Sequence, residues 1–451
     1  MEGAHIMDTN FKTLHQHNVY PVPVGGFFGK DPSSCLLMFA PLKNEFFLVT
    51  PDEAANMESQ ATAGHPSETL KRLMDAPLPP QEEVSVDTFC TLHLLLNEKC
   101  NFHCGYCYSA AGRSNAELDM KQIEVILRFF LSSERKAPKK RTVMFMGGGE
   151  PMLSWNLLKE ATLLAESIGQ EQGVEVDFSL TTNGSIMNNE MMEFFKTHRF
   201  TIQISFEVLP DVQRAQRGPF DQVAANVTNI SSKGINHYVR ATITKDNVDR
   251  IPEMVRYCQE HFPNVKKLSC QQVVDPSYFN DVAVVNDFFD RYFKAFREGV
   301  AIGKETGLVV RSSASHLIDY SRRERFCYKL VCLTPYGTLT TCPDVSSPNE
   351  PDYPEAVFGQ IQGVGIQFDQ QAFDRLSQPS IHTIEKCQTC FARWNCGSGC
   401  PSSRRVYPEP IFDAICDFYR RMVTTDLMEE LAKKYQSGTG RNLYEDIAKK
   451  L

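Results

Sequence analysis

The chain of 451 residues lacks any apolar run long enough to span a membrane, and its first thirty residues lack the hydrophobic core of a signal peptide. It also lacks an excess of basic residues, since 47 Lys and Arg stand against 55 Asp and Glu, a net charge of −8. Nucleic-acid binding needs a basic face. We therefore expect a cytoplasmic protein whose partners include neither nucleic acid nor a membrane. No internal repeat or low-complexity stretch is present, and the length predicts two or three domains.

Cysteine, by contrast, is abundant, with 15 residues. Stable disulfides are rare in the cytoplasm, so clustered cysteines there more often bind metal or take part in chemistry. One group lies at residues 100–107 and a larger one at residues 327–416. The isolated Cys35, Cys90, Cys258 and Cys270 are predicted to be buried apolar side chains.

Residues 1–88 precede the first cysteine group. The segments CLLMFA (35–40) and EFFLVT (45–50) predict two strands joined by a turn, and Pro51 with the acidic residues after it predicts the start of a helix. Residues 65–83 are polar and proline-rich and are predicted to form a linker.

Residues 89–305 alternate strand-length apolar runs with amphipathic segments. The predicted strands read TLHLLLN, TVMFMG, VDFSLTTN, FTIQISFE, YVRATIT and KLSCQQVV, and the predicted helices include residues 120–131, 156–168, 220–233, 248–261 and 287–305. Repeated βα units favour an α/β fold with a parallel sheet, and six units do not complete an eight-stranded barrel. In such folds chemistry takes place at the C-terminal ends of the strands.

The first cysteine group, Cys100, Cys104 and Cys107, has the spacing C-x3-C-x2-C and follows the first of these strands. Three thiolates so close together can hold three irons of a 4Fe–4S cluster and leave the fourth iron without a protein ligand. The spacing alone also fits a zinc site with a fourth ligand from elsewhere, or cysteines without a metal. With Tyr106 directly before the last cysteine, the stretch resembles the signature of radical S-adenosylmethionine (SAM) enzymes, whose fold is a partial, TIM-like (β/α)6 barrel.

Later strand ends extend this resemblance. Its GGEP motif matches Gly147, Gly148, Gly149, Glu150 and Pro151, and its TNG element matches Thr182, Asn183 and Gly184. The resemblance implies that the residues of the GGEP match, Thr182, Asn183, Tyr106 and Ser205 contact SAM. Where relatives often carry Ser-Leu-Asp-Gly, this chain has Glu207 and Val208, so only Ser205 of that element is carried over. Arg240 is a candidate partner of the SAM carboxylate, with a structural salt bridge as the alternative.

The second cysteine group has the spacing of a SPASM domain, which we place at residues 306–425. The resemblance implies two auxiliary 4Fe–4S clusters, and thus three clusters in all. Cys327, Cys342 and Cys400 would hold the first, and Cys387, Cys390, Cys396 and Cys416 would hold the second. Cys332 is either the fourth ligand of the first cluster or a strand residue beside an open iron. Two zinc sites are the alternative.

The chemistry that the resemblance implies is reductive cleavage of SAM to a 5′-deoxyadenosyl radical, which takes a hydrogen from the substrate. The leading hypothesis is a peptide maturase that forms a cross-link, most simply a thioether, in a ribosomally made precursor peptide. Carbon–carbon or carbon–oxygen cross-linking and sulfatase maturation to formylglycine are alternatives. An iron–sulfur electron carrier, the hypothesis outside enzymology, would have no use for the GGGEP and TTNG elements.

Further partners follow from this hypothesis. We expect a reductant such as flavodoxin or ferredoxin and a precursor peptide with a leader. Residues 1–88 loosely resemble the N-terminal elements of peptide-modifying relatives, some of which bind a leader there, and a hairpin that only covers the barrel is the alternative. A helical tail, residues 426–451, is predicted to contain a Ser-Gly-Thr-Gly linker after about Tyr435.

Overall fold

The computed structural model describes residues 11–315, 317–319, 322–327 and 329–451. Its N-terminal region consists of α1 (Lys12–Gln16), β1 (Tyr20–Pro23), β2 (Leu36–Ala40), β3 (Glu45–Val49), α2 (Pro51–Thr62) and α3 (Glu68–Met74). The predicted hairpin is confirmed as β2 and β3, which pair in antiparallel register. The sequence did not predict β1, because two prolines among its four residues oppose a strand; it lies at the sheet edge, where proline is tolerated.

The predicted linker at residues 65–83 is wrong in part, because it contains α3. Ser67 caps this helix by accepting a hydrogen bond from the Leu70 N–H at 3.3 Å, and Leu70 and Leu73 are buried. These two leucines complete a small core between the helices and one face of the three-stranded sheet. An N-cap and two apolar contacts are enough to make a short polar segment helical in this setting.

The barrel contains β4 (Thr91–Leu94), α4 (Met120–Leu131), β5 (Lys140–Phe145), α5 (Trp155–Gln172), β6 (Glu175–Thr182), α6 (Asn189–Thr197), β7 (Thr201–Ser205), α7 (Pro210–Gln216), α8 (Phe220–Ser232), β8 (His237–Ile243), α9 (Ile251–His261), β9 (Lys267–Gln272), α10 (Val282–Thr306) and β10 (Val309–Arg311). Strands β4 to β9 pair in parallel and in chain order. The predicted α/β fold with a partial (β/α)6 barrel is confirmed.

Side chains alternate between the two faces of each barrel strand, and this alternation determines which residues line the barrel lumen. Along β7, Ile202 and Ile204 pack into the main hydrophobic core, so Gln203 and Ser205 face the lumen. The helices cover the outside. For example, α4 begins with a capping box between Asp119 and Gln122 and packs its apolar stripe into the same core.

The sheet continues beyond the predicted six strands. The C-terminal part of the chain contains β11 (Leu330–Leu333), β12 (Thr338–Thr340), α11 (Tyr353–Ala356), β13 (Val357–Gln362), β14 (Gly365–Phe368), α12 (Gln370–Ser377), α13 (Glu385–Gln388), α14 (Arg393–Cys396), α15 (Pro401–Val406), α16 (Glu409–Thr439) and α17 (Leu443–Ala448). Strand β11 pairs in parallel with β4, and β12 to β14 extend from it in antiparallel register. The predicted linker after Tyr435 is wrong, because α16 continues to Thr439 and ends at Gly440, whose φ is +70°.

The second face of the N-terminal sheet packs on the C-terminal region. Its buried side chains, Tyr20, Val22, Leu37 and Phe39, share a core with Leu317, Phe391, Ala392, Val423, Leu427, Met428 and Leu443. Among the isolated cysteines, Cys35, Cys258 and Cys270 are buried as predicted, whereas Cys90 is only half-buried. Within the described ranges no helix combines the length and apolarity needed to cross a bilayer.

Candidate active site at the C-terminal ends of the barrel strands

The first cysteine group lies in the loop that follows β4. Cys100, Cys104 and Cys107 are half-buried free thiols. The Cys107 N–H donates to the Cys104 carbonyl at 3.2 Å, and the Gly105 N–H donates to the Gln216 carbonyl at 3.2 Å, which ties the loop to the end of α7. The structure therefore presents three thiols on one short, anchored loop, as a three-cysteine cluster site requires.

The glycine run after β5 packs against the residues just before Cys100. A Cβ at Gly149 would lie 1.9 Å from the Lys99 carbonyl oxygen, and the Gly149 N–H donates to the Asn97 carbonyl at 2.7 Å. At Gly149, then, glycine is required by a close approach of the chain's own backbone. Gly147 and Gly148 have φ of +80° and +56°, which also favours glycine. The predicted contact of this run with SAM stays a prediction.

Glu150 links the glycine run to the strand end after β6. Its side chain is buried and accepts hydrogen bonds from the Thr182 hydroxyl at 2.7 Å and from the Asn183 N–H at 2.7 Å. Burial raises the pKa of Glu150, against the lowering effect of these hydrogen bonds. Pro151 begins the 3₁₀ turn that follows. The Glu150 carboxyl therefore fixes the position of the Thr182–Asn183 turn.

Asn183 in turn contacts the cysteine loop. Its side-chain N–H donates to the Asn101 Oδ1 at 2.9 Å and approaches the Cys100 Sγ at 3.9 Å. On the other side of the loop, the Arg113 guanidinium donates to the Cys107 Sγ at 3.2 Å. The glycine run and the Thr182–Asn183 turn, two predicted motifs from neighbouring strand ends, thus meet at the cysteine loop. Sequence reasoning missed Arg113, which lies outside every motif used.

Ser205 and Arg240 lie opposite each other on β7 and β8. Ser205 is buried, and Arg240 is half-buried on the lumen side of its strand. The salt bridge proposed as an alternative for Arg240 is absent among the described residues. Arg240 is near enough to Asp344 to act on its carboxyl, whose pKa is raised by burial and lowered by Ser402 and then by Arg240. The arginine is therefore available to a ligand carboxylate.

Glu207 is the main site residue that the sequence did not reveal. It is fully buried, accepts a short hydrogen bond from the Tyr106 hydroxyl and accepts another from the Thr242 N–H at 2.9 Å. Arg217 donates to the Tyr106 hydroxyl at 2.7 Å and lies 3.5 Å from Glu207 Oε1. Glu207 thus holds the aromatic residue of the cysteine loop against β8.

Val208 has a backbone conformation that favours glycine. Its φ is +67°, in the left-handed region that a β-branched residue rarely adopts, and its side chain is fully buried. The position therefore carries backbone strain that a glycine would not.

The second cysteine group separates into two sets in space. In the first set, burial and then Cys400 raise the pKa of Cys327 to about 12, and burial, Asp344 and Cys332 are among the causes that raise the pKa of Cys342. Cys332 is fully buried on β11. The first set therefore comprises Cys327, Cys332, Cys342 and Cys400.

The second set comprises Cys387, Cys390, Cys396 and Cys416. Burial and then Cys390, Cys416 and Cys387 raise the pKa of Cys396, which indicates that the four thiols are neighbours. Arg420 approaches the Cys390 Sγ at 4.0 Å. Free thiols gathered in fours fit iron–sulfur ligation, for which thiolate is the preferred ligand. Zinc stays the alternative at both sets.

Residues 94–258 match the sequence model of the Radical SAM superfamily. The chain contains a radical SAM domain. This domain includes the cysteine loop, the glycine run, the Thr182–Asn183 turn, Ser205 and Arg240.

Curated relatives are distant and are matched in part. The chain is 21% identical over 234 residues to the radical SAM cyclopropyl synthase TigE of Paramaledivibacter caminithermalis. This alignment covers 47% of this chain and 48% of that protein. It is 19% identical over 222 residues to a cysteine-type anaerobic sulfatase-maturating enzyme of Clostridium novyi, covering 45% and 59%. The chain thus spans about half the length of these relatives.

Two solved structures share the fold of the radical SAM domain and of part of the chain outside it. Native anSMEcpe with bound AdoMet and Cp18Cys peptide superposes with a TM-score of 0.57 at 16% identity over 75% of this chain and 98% of that one. Streptococcus suis SuiB bound to its precursor peptide SuiA gives 0.52 at 14% identity over 84% and 97%. At these identities the likeness establishes the fold alone.

Proposed function

We propose that this chain is a radical SAM enzyme that modifies a peptide, and that its substrate is a ribosomally made precursor. The observation that carries the proposal is a chain of hydrogen bonds: Asn183 bonds Asn101 of the Cys100–Cys107 loop, and Glu150 accepts from both Asn183 and Thr182. This chain gathers three motifs at one end of the barrel. The peptide-bound states of anSMEcpe and SuiB support a peptide substrate.

In this proposal Cys100, Cys104 and Cys107 hold a 4Fe–4S cluster and the glycine run, Ser205 and Arg240 hold SAM. When bound, the cluster supplies the electron that cleaves SAM and so provides the 5′-deoxyadenosyl radical. The chain's own residues bind SAM and orient the loops around it. The Glu150 bonds fix two of the loops, Arg240 offers a fork of donors to a carboxylate, and Glu207 holds Tyr106.

The auxiliary cysteines complete the proposal. Two sets of four thiols fit two further 4Fe–4S clusters, with Cys332 as the fourth ligand of the first. A fully ligated first cluster would accept electrons from the oxidised substrate and would not bind a substrate thiolate. We expect about twelve irons per chain after anaerobic reconstitution. A count near four, with zinc present, would contradict this assignment.

The modification that we propose is a cross-link, with a thioether as the first candidate and a carbon–carbon or carbon–oxygen bond as the alternative. A thioether forms when a peptide cysteine sulfur bonds to carbon and two hydrogens are lost per link. One would leave as a hydrogen atom taken by the 5′-deoxyadenosyl radical, and the other would leave as the thiol proton together with one electron that the auxiliary centres would accept. The product should therefore be lighter by two hydrogens per link and should resist alkylation at the linked cysteine. A product whose cysteines all still react would favour the carbon–carbon or carbon–oxygen link.

Sulfatase maturation is the second candidate, and Asp344 favours it. This carboxyl lies beside Cys342 and Ser402 and faces Arg240, and burial raises its pKa, so it has the surroundings of a proton acceptor near the SAM side of the barrel. Incubation with a sulfatase-derived cysteine or serine peptide separates the candidates. An aldehyde that reacts with a hydrazide reagent would support sulfatase maturation, and its absence together with a cross-linked precursor would exclude it.

The central test is SAM cleavage. Replacing Cys100, Cys104 and Cys107 together with alanine should remove about a third of the iron and abolish formation of 5′-deoxyadenosine by the reduced protein. The matched control is Cys90→Ala, since this cysteine belongs to neither group. Formation of 5′-deoxyadenosine by the triple variant would refute the radical SAM activity, and no formation by the wild type would favour an electron carrier.

A further inference from the structure

Two cations line the barrel lumen beside the open edge of the sheet. Along β9, Leu268 and Cys270 are buried in the core, so Lys267 and Ser269 face the lumen. Along β10, Val310 is buried in the core, which places Arg311 on the lumen side, where its side chain is exposed. Arg311 is directly opposite Ser269 in the register of the two strands.

These cations have no acidic partner among the residues that the structure describes. No carboxylate lies within 4.0 Å of the Lys267 ammonium or the Arg311 guanidinium in those ranges. The Lys267 Nζ instead lies 4.2 Å from the centre of the Tyr238 ring. Burial and then Arg311 lower the pKa of Lys267, so the two charges are close enough to repel each other.

A pair of cations without a carboxylate partner among the described residues is unexpected in a chain that is rich in acidic residues. Acidic residues outnumber basic ones by 55 to 47, and surface arginines such as Arg256 and Arg291 have carboxylate partners. The Lys267 ammonium is half-buried and the Arg311 guanidinium is exposed on the same face of the sheet. Two like charges on one face repel each other, and an anion bound between them would relieve that repulsion. The arrangement therefore favours the binding of an anion.

The position of the pair identifies the anion. Arg240, Ser269 and Arg311 lie in one row across three adjacent strands, so the backbones of the two arginines are separated by two strand spacings, about 10 Å. Arg240 is the proposed partner of the SAM carboxylate, which places Arg311 on the substrate side of SAM. Strand β10 is an edge of the sheet, open to an entering chain.

We propose that Lys267, Ser269 and Arg311 form a subsite for a carboxylate of the peptide substrate. The ammonium, the hydroxyl and the guanidinium fork provide donors for both oxygens of one carboxylate. The carboxylate belongs either to an Asp or Glu side chain near the modified residue or to the peptide's C-terminus. This inference rests on the proposed function, because it assigns the specificity of the same barrel.

The test uses the anaerobically reconstituted full-length protein with SAM and three synthetic peptides. The first is an N-acetylated, C-amidated cysteine peptide with one Asp, the second carries Asn at that position, and the third is the Asn peptide with a free C-terminal carboxylate. Calorimetry measures their Kd values. A charge-assisted contact of this kind strengthens binding about ten- to hundred-fold, so we expect the Asp peptide, the free-carboxylate peptide or both to bind about ten-fold or more tightly than the neutral one.

Variants attribute the effect to these side chains. Lys267→Met and Arg311→Gln should each remove most of the preference, and Lys267→Arg should restore it, which a packing defect would not allow. The matched controls are Lys266→Met, the exposed neighbour, and Arg256→Gln on α9, and both should keep the preference. Iron content of every variant checks that the fold is intact.

Each outcome supports or overturns the proposed carboxylate subsite. Whichever acidic peptide gains identifies the source of the carboxylate. Equal binding of all three peptides, no binding of either acidic peptide at millimolar concentration, or a preference that persists in both variants would overturn the subsite. The wild type's formation of 5′-deoxyadenosine is measured alongside, so that a preference without SAM cleavage would refute the proposed function and leave the subsite standing.

Discussion

Replacing Glu207 with glutamine should weaken both the fold and SAM binding. The substitution conserves shape and removes the charge that faces Arg217, whose side chain is only 10% exposed. Burial raises the pKa of Glu207, while Arg217 and the hydrogen bond from Tyr106 lower it. For Arg217, burial opposes the charge, yet Tyr106 and Glu207 outweigh it and raise the pKa. The variant therefore leaves a charged guanidinium buried beside a neutral amide.

The magnitude follows from what remains unpaired. Removing one partner of a buried ion pair typically costs about 3–5 kcal/mol, because the other charge stays buried without compensation. Tyr106→Phe removes a single hydroxyl that bonds to both charges and should cost about 1–3 kcal/mol. Converting Glu207 and Arg217 together, to glutamine and methionine, removes the stranded charge. The double variant should therefore be more stable than Glu207→Gln alone.

Urea unfolding of the reconstituted protein measures the first effect, and the Kd of SAM measures the second. We expect a weaker Kd for Glu207→Gln, because Tyr106 loses its anchor next to Cys107. The matched control is Glu193→Gln on α6, which removes an exposed ion pair with Lys233 and should leave stability almost unchanged. Wild-type stability and SAM affinity in Glu207→Gln, or strictly additive losses in the double variant, would refute the reasoning.

Two further substitutions test the packing around the cysteines. Gly149→Ala should prevent the glycine run from packing against the residues before Cys100, because its Cβ would lie 1.9 Å from a backbone oxygen, and the protein should lose about a third of its iron. The control Gly105→Ala, with open space at its Cβ, should keep its full iron content. Asn18→Ala removes the acceptor of the Trp394 indole N–H at 2.8 Å and should cost about 2–4 kcal/mol in urea unfolding, part of it because φ is +58°. Asn44→Ala, at φ +54° on an exposed turn, should cost about 1–2 kcal/mol in the same measurement. Equal losses of stability in the Asn18 and Asn44 variants would show that the contact with the indole does not contribute.

The sequence predicted the parts of the barrel whose patterns are local. Apolar runs and amphipathic spacing gave six parallel strands, and α4 was predicted with its observed bounds, Met120–Leu131. The short α3 and the proline-containing β1 were missed because tertiary contacts outweigh their unfavourable local composition. The strands β11 to β14 could not be assigned to the barrel sheet, since pairing between β11 and β4 joins residues more than 230 positions apart.

In the site, motif spacing predicted which residues would gather but not what connects them. Glu150 was predicted as part of a SAM motif, and its observed bonds go to Thr182 and Asn183. Glu207 was set aside as a departure from the expected aspartate, yet it bonds Tyr106 and Arg217. The one available signal was an acidic residue at the end of a buried strand, where an unpaired charge is costly and a partner is to be expected.

Leader recognition by residues 1–88 stays a prediction, and the structure determines how it has to be tested. The N-terminal sheet packs on α16, the helix that carries Cys416, and Asn18 bonds Trp394, which lies between Cys390 and Cys396. Deleting the region would expose this core and disturb the second cysteine set. A loss of precursor binding after deletion would then report on the clusters as much as on the leader. Among the described strands β3 pairs with β2 alone, so the other edge of β3 is where an extended leader could add as a strand. Binding of a leader peptide to the full-length protein, mapped by amide hydrogen exchange, addresses the question directly, because protection at β3 with unchanged iron content would support recognition and binding without protection there would exclude it.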